Sequence, residues 1–475
     1  MADCVAARLS AGNVLWLLAF CGFALNYAVR VNLNIAIVAM DGRYDWDEHQ
    51  QALVLGGFFW LHWSTQVPGG MLARRVGPKL IFGLSNLSAC LLAALAPLAA
   101  GVDYRALVAL RALQGLLTIM SPYFALHGMA WPSMHCMTAN WVPPNDRSKF
   151  ISAYLGSSVG AALTFPVSGV QIGWLGWPAI FYATSLAAIV WFLAWWLLVF
   201  YHPHHHPRIS NSELHYLQVR LVADAASYKH GKSINYEKPA TPWKRILTSR
   251  QVWLLVLAKW GSFWVLSTLL TQAPTYLRNI HGWSIGMVGL LSGIPHIGRT
   301  AFALLVSRVG DFLLKKEIIM RPYLRKVATS SYLLASAALL AGLSYSGCSH
   351  GAATAFLVAA VSVNGALAMG PLAALVDISP SFCSILLGLT NVVCTLPGFI
   401  SPAVVGALTY QNQTPAQWRA VFLISAAMAA VPGAVYALLG DAVRQPWDQP
   451  PATPADAATS REVAPLQPGG HGAGQ

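Results

Sequence analysis

Charge is what this chain has least of. Asp, Glu, Lys and Arg make up 10% of its 475 residues, against about 25% in a soluble domain. Acids are the scarcer sign, 17 against 30 bases. So few charges do not cover the surface of a soluble protein of this length, and paired carboxylates for acid–base catalysis have little to be built from. Cysteine is sparse as well. The seven, at positions 4, 21, 90, 136, 348, 383 and 394, are odd in number and scattered, most of them in apolar runs. That pattern excludes a disulfide framework and a cysteine-ligated metal. No phosphate-cradling glycine loop and no nucleophile triad stands out, so the sequence gives no reason to expect an enzyme or a bound cofactor. The net charge of +13 does not indicate nucleic acid, because the bases sit in short loops between apolar runs, as they do on the cytosolic side of membrane proteins.

What the chain has is hydrophobic length: 56% of its residues are apolar. The apolar runs predict twelve helices, at about 14–40, 51–72, 79–100, 105–141, 150–171, 177–201, 251–277, 284–306, 327–346, 351–373, 383–409 and 418–440, mostly near or above the roughly 20 residues that cross a bilayer. The longest polar break, 202–250, divides them six and six. The expectation is an all-α membrane protein with twelve transmembrane helices. Its parts are a short N-terminus (1–13), a six-helix half (14–201), a central loop (202–250), a second six-helix half (251–440) and a disordered tail (441–475) rich in Pro, Ala and Gly. The short segment before Val14 and the length of the first run predict an uncleaved anchor rather than a signal peptide.

Loops 73–80, 142–150, 202–250 and 307–326 carry the bases, eight of them in the central loop, whereas the alternate loops carry Arg43, Arg105, Arg278 and little else. The first set is expected in the cytosol, and with it both termini. Asn412-Gln413-Thr414 is a glycosylation sequon on the opposite side. Asn86-Leu87-Ser88 also fits the pattern but lies within a span. The histidines of His202-Pro-His-His-His206 are expected in a solvated loop, not around a metal.

Arg30 is the one charge in the 27-residue run Val14–Met40. A cation at mid-bilayer costs about 2.5–3.5 kcal/mol on insertion scales, so it marks a functional position by default. After the second run comes Gly69-Gly70-Met-Leu-Ala-Arg74-Arg75-Val-Gly77-Pro-Lys79, and at the equivalent place in the other half Ser307-Arg-Val-Gly-Asp311-Phe-Leu-Leu-Lys315. Both resemble the cytosolic gate motif of the major facilitator superfamily, with Arg74 where the motif has an acid. Tyr27-Ala-Val-Arg30-Val-Asn32-Leu-Asn34, Gly57-Phe-Phe-Trp60, Arg111-Ala-Leu-Gln-Gly115, Trp141-Val-Pro-Pro-Asn-Asp-Arg147, Asp377-Ile-Ser-Pro380, Leu387-Gly-Leu-Thr-Asn391 and Arg444-Gln-Pro-Trp447 resemble the organic anion branch of that superfamily. The branch contains sialin, the vesicular glutamate and nucleotide transporters and the type I sodium–phosphate cotransporters. The motifs run from residue 14 to 447 and are specific for the family rather than for a substrate.

The resemblance implies a secondary transporter for small organic anions (acidic sugars or carboxylates) or inorganic phosphate, working by alternating access with H+ or Na+ as coupling ion. It is expected to act as a monomer in the lipid bilayer, in the plasma membrane or a lysosomal or vesicular membrane. Arg30 is the expected anion contact, since guanidinium stays charged and grips a carboxylate with a two-pronged fork. Tyr27 and Asn34 flank it on the same helical face, and Arg111 and His135 match the family's fourth-helix residues. His135 and His127 would carry any proton. Gly70, Arg74, Arg75, Gly77, Lys79 and Asp311 would form the gate.

Several departures qualify this. His127 stands where the family has a glutamate. The segment from Arg111 to His127 is about nine residues longer than the family pattern, so that a continuous helix would put Arg111 and His135 about 36 Å apart. Arg111 is therefore expected either to be displaced from its role or to be reconciled by a break near Pro122 or Pro132. Ser262 and Leu55 replace an arginine and a histidine of the vesicular glutamate members, which points toward the sialin or phosphate types. Lys259 is expected to snorkel to the cytosolic interface. Arg74, the lengthened segment and His127 also support a second reading, a transporter-like membrane sensor or interaction protein that moves nothing.

Overall fold

The computed structural model describes residues 10–41, 43–62, 77–116, 134, 137, 141, 152–207, 209–210, 212–217, 241–380 and 382–448. Among these residues the regular structure is helical: α1 (Ala11–Met40), α2 (Glu48–His62), α3 (Pro78–Ala93), α4 (Ala96–Val102), α5 (Tyr104–Leu116), α6 (Gly156–Leu175), α7 (Pro178–Leu198), α8 (Trp243–Leu247), α9 (Arg250–Asn279), α10 (Ile285–Lys315), α11 (Arg321–Ser344), α12 (His350–Val363), α13 (Pro371–Ile378), α14 (Cys383–Cys394), α15 (Pro397–Thr409) and α16 (Pro415–Leu439). Ten segments among the described residues are long and apolar enough to cross a membrane. The second and fourth expected spans are described only in part, as α2 and α5.

The helix ends follow from local chemistry. Ser10 caps α1 by accepting from the Asn13 amide at 3.2 Å, and the Glu213 carboxylate accepts from the Ala11 and Gly12 amides at 3.1 and 3.0 Å. A carboxylate at these orphan donors also complements the helix dipole. Proline opens α3, α7, α13, α15 and α16, where its missing N–H costs nothing. Along α7 the side chains Leu186, Val190, Leu193 and Leu197 are exposed at helical spacing. In water that stripe would be a liability; in a bilayer it is the lipid face.

Side chains from α9, α11, α12, α13, α14, α15 and α16 share one buried apolar core. Those of α1 to α7 form two others. The bundle is thus two bodies, and they meet along α2 with α15 and along α6 with α10. At Gly289 on α10 a Cβ would stand 2.5 Å from the Phe165 carbonyl of α6, so only glycine allows this approach. Across the seam Asn34 of α1 donates to the Leu270 carbonyl of α9 at 3.0 Å. At the turn end Glu48, the first residue of α2, accepts from the Gln411 amide at 3.0 Å, while the His49 ring lies 4.6 Å from that of Tyr410. These contacts lie toward the end of the bundle that carries the turns 41–47 and 410–414. There the two bodies close around a polar crevice lined by Glu48, Gln51, Gln272, Thr275 and Gln413.

Candidate functional site

The site is built from α1, α2 and α5. Arg30 is half-buried on α1. Its guanidinium carbon stands 5.5 Å from the Tyr27 ring centre and 5.2 Å from that of Phe58 on α2. Both are within the range where a ring face attracts a cation. Its Nε is buried without a hydrogen-bond partner among the described residues.

α5 lies so close on α2 that a Cβ at Gly115 would collide with the Phe58 carbonyl. That approach carries Arg111 inward. Arg111 is 3% exposed, and its guanidinium carbon lies 5.5 Å from the same Phe58 ring. Its Nη1 donates to the Gln114 Oε1 at 3.1 Å and the Val29 carbonyl at 3.3 Å, and its Nη2 to the Arg30 carbonyl at 3.5 Å. Gln114 in turn donates to the Ala89 carbonyl of α3 at 3.3 Å.

In the structure Arg111 lies beside the backbone of Arg30, while His135 and the lengthened segment lie outside the described residues. The additional residues follow Arg111 in the chain, whereas its register is set by α5 packing on α2 at Val108, Arg111 and Gly115. Two guanidiniums therefore share one aromatic ring, and no carboxylate pairs with either among the described residues. A buried or half-buried cation without a counter-charge is costly. Two together leave positive charge that no carboxylate among the described residues balances.

Tyr27 belongs to this group through its ring. Asn34 does not: its amide is committed to α9, across the seam. His127, His135, Gly70, Arg74 and Arg75 lie outside the described residues. Gly77 takes a φ of +104° just before α3. Lys79 donates to the Trp196 carbonyl at 2.9 Å and rests on the Trp196 and Phe200 rings, each 4.9 Å away, tying α3 to α7. Asp311 is exposed and makes no ion pair among the described residues. Asn412 is exposed in the α15–α16 turn.

Some features were not anticipated from the sequence. Lys259 does not snorkel; it is fully buried, and its Nζ reaches Thr390 Oγ1 at 2.7 Å and Asn391 Oδ1 at 2.9 Å on α14. Arg325 of α11 pairs with Asp377 of α13 at 2.7 Å. His62 on α2 is buried with its ring 5.1 Å from Phe58. His296 on α10 lies nearly parallel to Phe165 of α6, 6.0 Å away. The one available signal was helical spacing: His62 is four residues after Phe58 and so lies on the same face.

Residues 19–402 match the family model of the Major Facilitator Superfamily. Human vesicular glutamate transporter 2 is 31% identical over 473 residues, covering 95% of this chain and 78% of the relative. Human sialin is 32% identical over 475 residues, covering 94% and 91%. Among solved structures, a bacterial homologue of the human lysosomal transporter Spinster matches with a TM-score of 0.63 at 17% identity, over 89% of this chain and 96% of that one. A D-xylose–proton symporter matches at 0.62 and 16% identity, over 89% and 96%. The chain belongs to the major facilitator superfamily, in the branch of the organic anion and phosphate transporters. It is a multi-pass membrane transporter and not an enzyme.

Proposed function

We propose that this protein moves a small organic anion, an acidic sugar or a carboxylate, or else inorganic phosphate, by alternating access between the halves 14–201 and 251–440. The observation that carries this reading is the pair Arg30 and Arg111 around Phe58, without a carboxylate among the described residues. A fork-shaped donor held on a ring face is pre-organised for a carboxylate or phosphate oxygen pair. His135, and His127 where the family has its acid, carry any coupling proton, with Na+ as the other candidate ion. Tyr27 orients Arg30.

The basic loops support an orientation with the central loop and both termini in the cytosol. The end closed by Glu48 and Gln411 then faces the lumen or exterior. Gly70, Arg74, Arg75, Gly77, Lys79 and Asp311 form the gate at the cytosolic end. Asn412 lies on the glycosylated side. Either a plasma membrane or a lysosomal or vesicular membrane suits this orientation, and a single chain holds the whole site.

The test is uptake of labelled sialic acid, glucuronate, phosphate and aspartate into proteoliposomes, with imposed pH and sodium gradients. One or more of these anions should accumulate and cations should not. Thermal stabilisation by an anion with no flux under any gradient would replace the transporter by the sensor reading.

A further inference from the structure

The anion site uses arginines, which hold their proton at any physiological pH. The other half buries a cation of different chemistry. Lys259 on α9 is fully buried, and its Nζ is bound by two neutral oxygens of α14, Thr390 Oγ1 at 2.7 Å and Asn391 Oδ1 at 2.9 Å. The Thr390 hydroxyl spends its own proton on the Leu387 carbonyl at 3.1 Å, so toward Lys259 it is an acceptor. Among the described residues no carboxylate reaches the amine. The titratable groups facing it are the thiols of Cys383 and Cys394 on α14. Tyr332 of α11, with Tyr436 of α16 beside it, stands next to Cys394, and the Cys394 thiol points to the Val256 carbonyl of α9 at 3.7 Å.

The donor count decides what this site can hold. An ammonium has three N–H donors and a neutral amine has two. Among the described residues two acceptors are present, so they take both N–H donors of the neutral amine and would leave one ammonium proton unmet in a buried place. An unmet charged donor is among the costlier things to bury. The site therefore accepts a lysine that has given up its proton, without any rearrangement.

We propose that Lys259 is the proton carrier of the second half. The amine gains one proton, forming one N–H bond, in the conformation that admits water between α9 and α14. It returns that proton when the two helices close to the geometry seen here. Protonation then favours the wet conformation and proton loss the dry one, which links proton movement to the alternation of the two halves. This rests on the transport reading for its meaning, but the protonation of Lys259 is measurable without transport.

Two neutral variants test it, Lys259→Met for length and Lys259→Gln to keep a donor for Thr390 and Asn391. In proteoliposomes, accumulation driven by a pH gradient should fall about tenfold in both, while anion exchange without a gradient stays within about twofold of wild type. In purified protein the fold favours the neutral amine, so wild-type melting temperature should rise with pH up to the ordinary lysine value of about 10.4, and both variants should lose that part of the rise. Either variant accumulating anion under a pH gradient as wild type does, or keeping the wild-type rise in melting temperature, overturns the proposal. If wild type itself moves no anion, the transport reading fails, and the melting curves still decide the role of Lys259.

Discussion

The two halves treat buried charge in opposite ways. In the first, Arg30 and Arg111 crowd one phenyl ring and no acid among the described residues answers them. In the second, Arg325 has Asp377 at 2.7 Å, and Arg444, just after α16, has Asp448 at 2.8 Å, with Ser379 holding the other Asp448 oxygen at 2.7 Å. Lys259 has two neutral oxygens. Where a cation is matched by its own chain it fastens helices together. Where no acid among the described residues matches it, the fold forgoes stability, and on the proposed reading the partner is the transported anion.

That contrast is sharpest at Arg30. Arg30→Lys keeps the charge but loses the fork, worth about 2 kcal/mol for a charge-assisted pair, so uptake should fall about 10- to 100-fold. The melting temperature of the substrate-free protein should stay near the wild-type value. Equal uptake by the variant would show that the fork is not what holds the anion.

Asp377→Asn should do the reverse. Both side chains of this pair are largely buried, 11% and 16% exposed, and Arg325 also holds the Met369 carbonyl at 3.1 Å. Removing the carboxylate strands the guanidinium at a cost of about 2 kcal/mol, read as a lower melting temperature in detergent. Anion affinity of the folded fraction, measured by isothermal titration, should be unchanged. A loss of affinity without a loss of stability would blur the division between the halves.

The smallest effect is expected at His281, in the turn between α9 and α10. Its ring meets the Tyr276 hydroxyl and His350 Nδ1, each at 3.1 Å. Burial first, and then His350, hold its pKa below the ordinary imidazole value of 6.5. The folded protein thus binds this proton less readily than the unfolded chain. The His281 contribution is complete above the ordinary value and fades as pH falls below it toward the lowered one. Melting curves across that window should fall with pH in wild type and fall less in His281→Gln. Identical slopes would remove the histidine pair from consideration.

Much of the fold was readable because a bilayer demands runs of about 20 apolar residues and punishes anything else. Arg30 was readable for the same reason, as an expense in such a run. Arg111 was harder. Its place depends on how closely α5 approaches α2 at Gly115, a tertiary fact, whereas the distance to His135 along the chain suggested conflict. Lys259 was misjudged because its partners lie 131 and 132 residues away, and no periodicity in α9 announces them. Asp377 and Arg325 were each visible, one in a motif and one in a basic loop, but their pairing across α11 and α13 was not.

One consequence of the ring shared by Arg30 and Arg111 concerns the cargo more than the protein. On the proposed reading the anion is held by two guanidiniums, the side chain that keeps its proton best, so the site would not adjust its grip as a compartment acidifies. The selection passes to the ligand's own ionisation. A carboxylic acid that ionises at about pH 3 keeps its grip in an acidic lumen, while one that ionises at about pH 5 loses much of it there. If the proposed site holds the cargo, two fixed cations would thus act as a filter for acid strength, sorting molecules of similar size by the charge they retain.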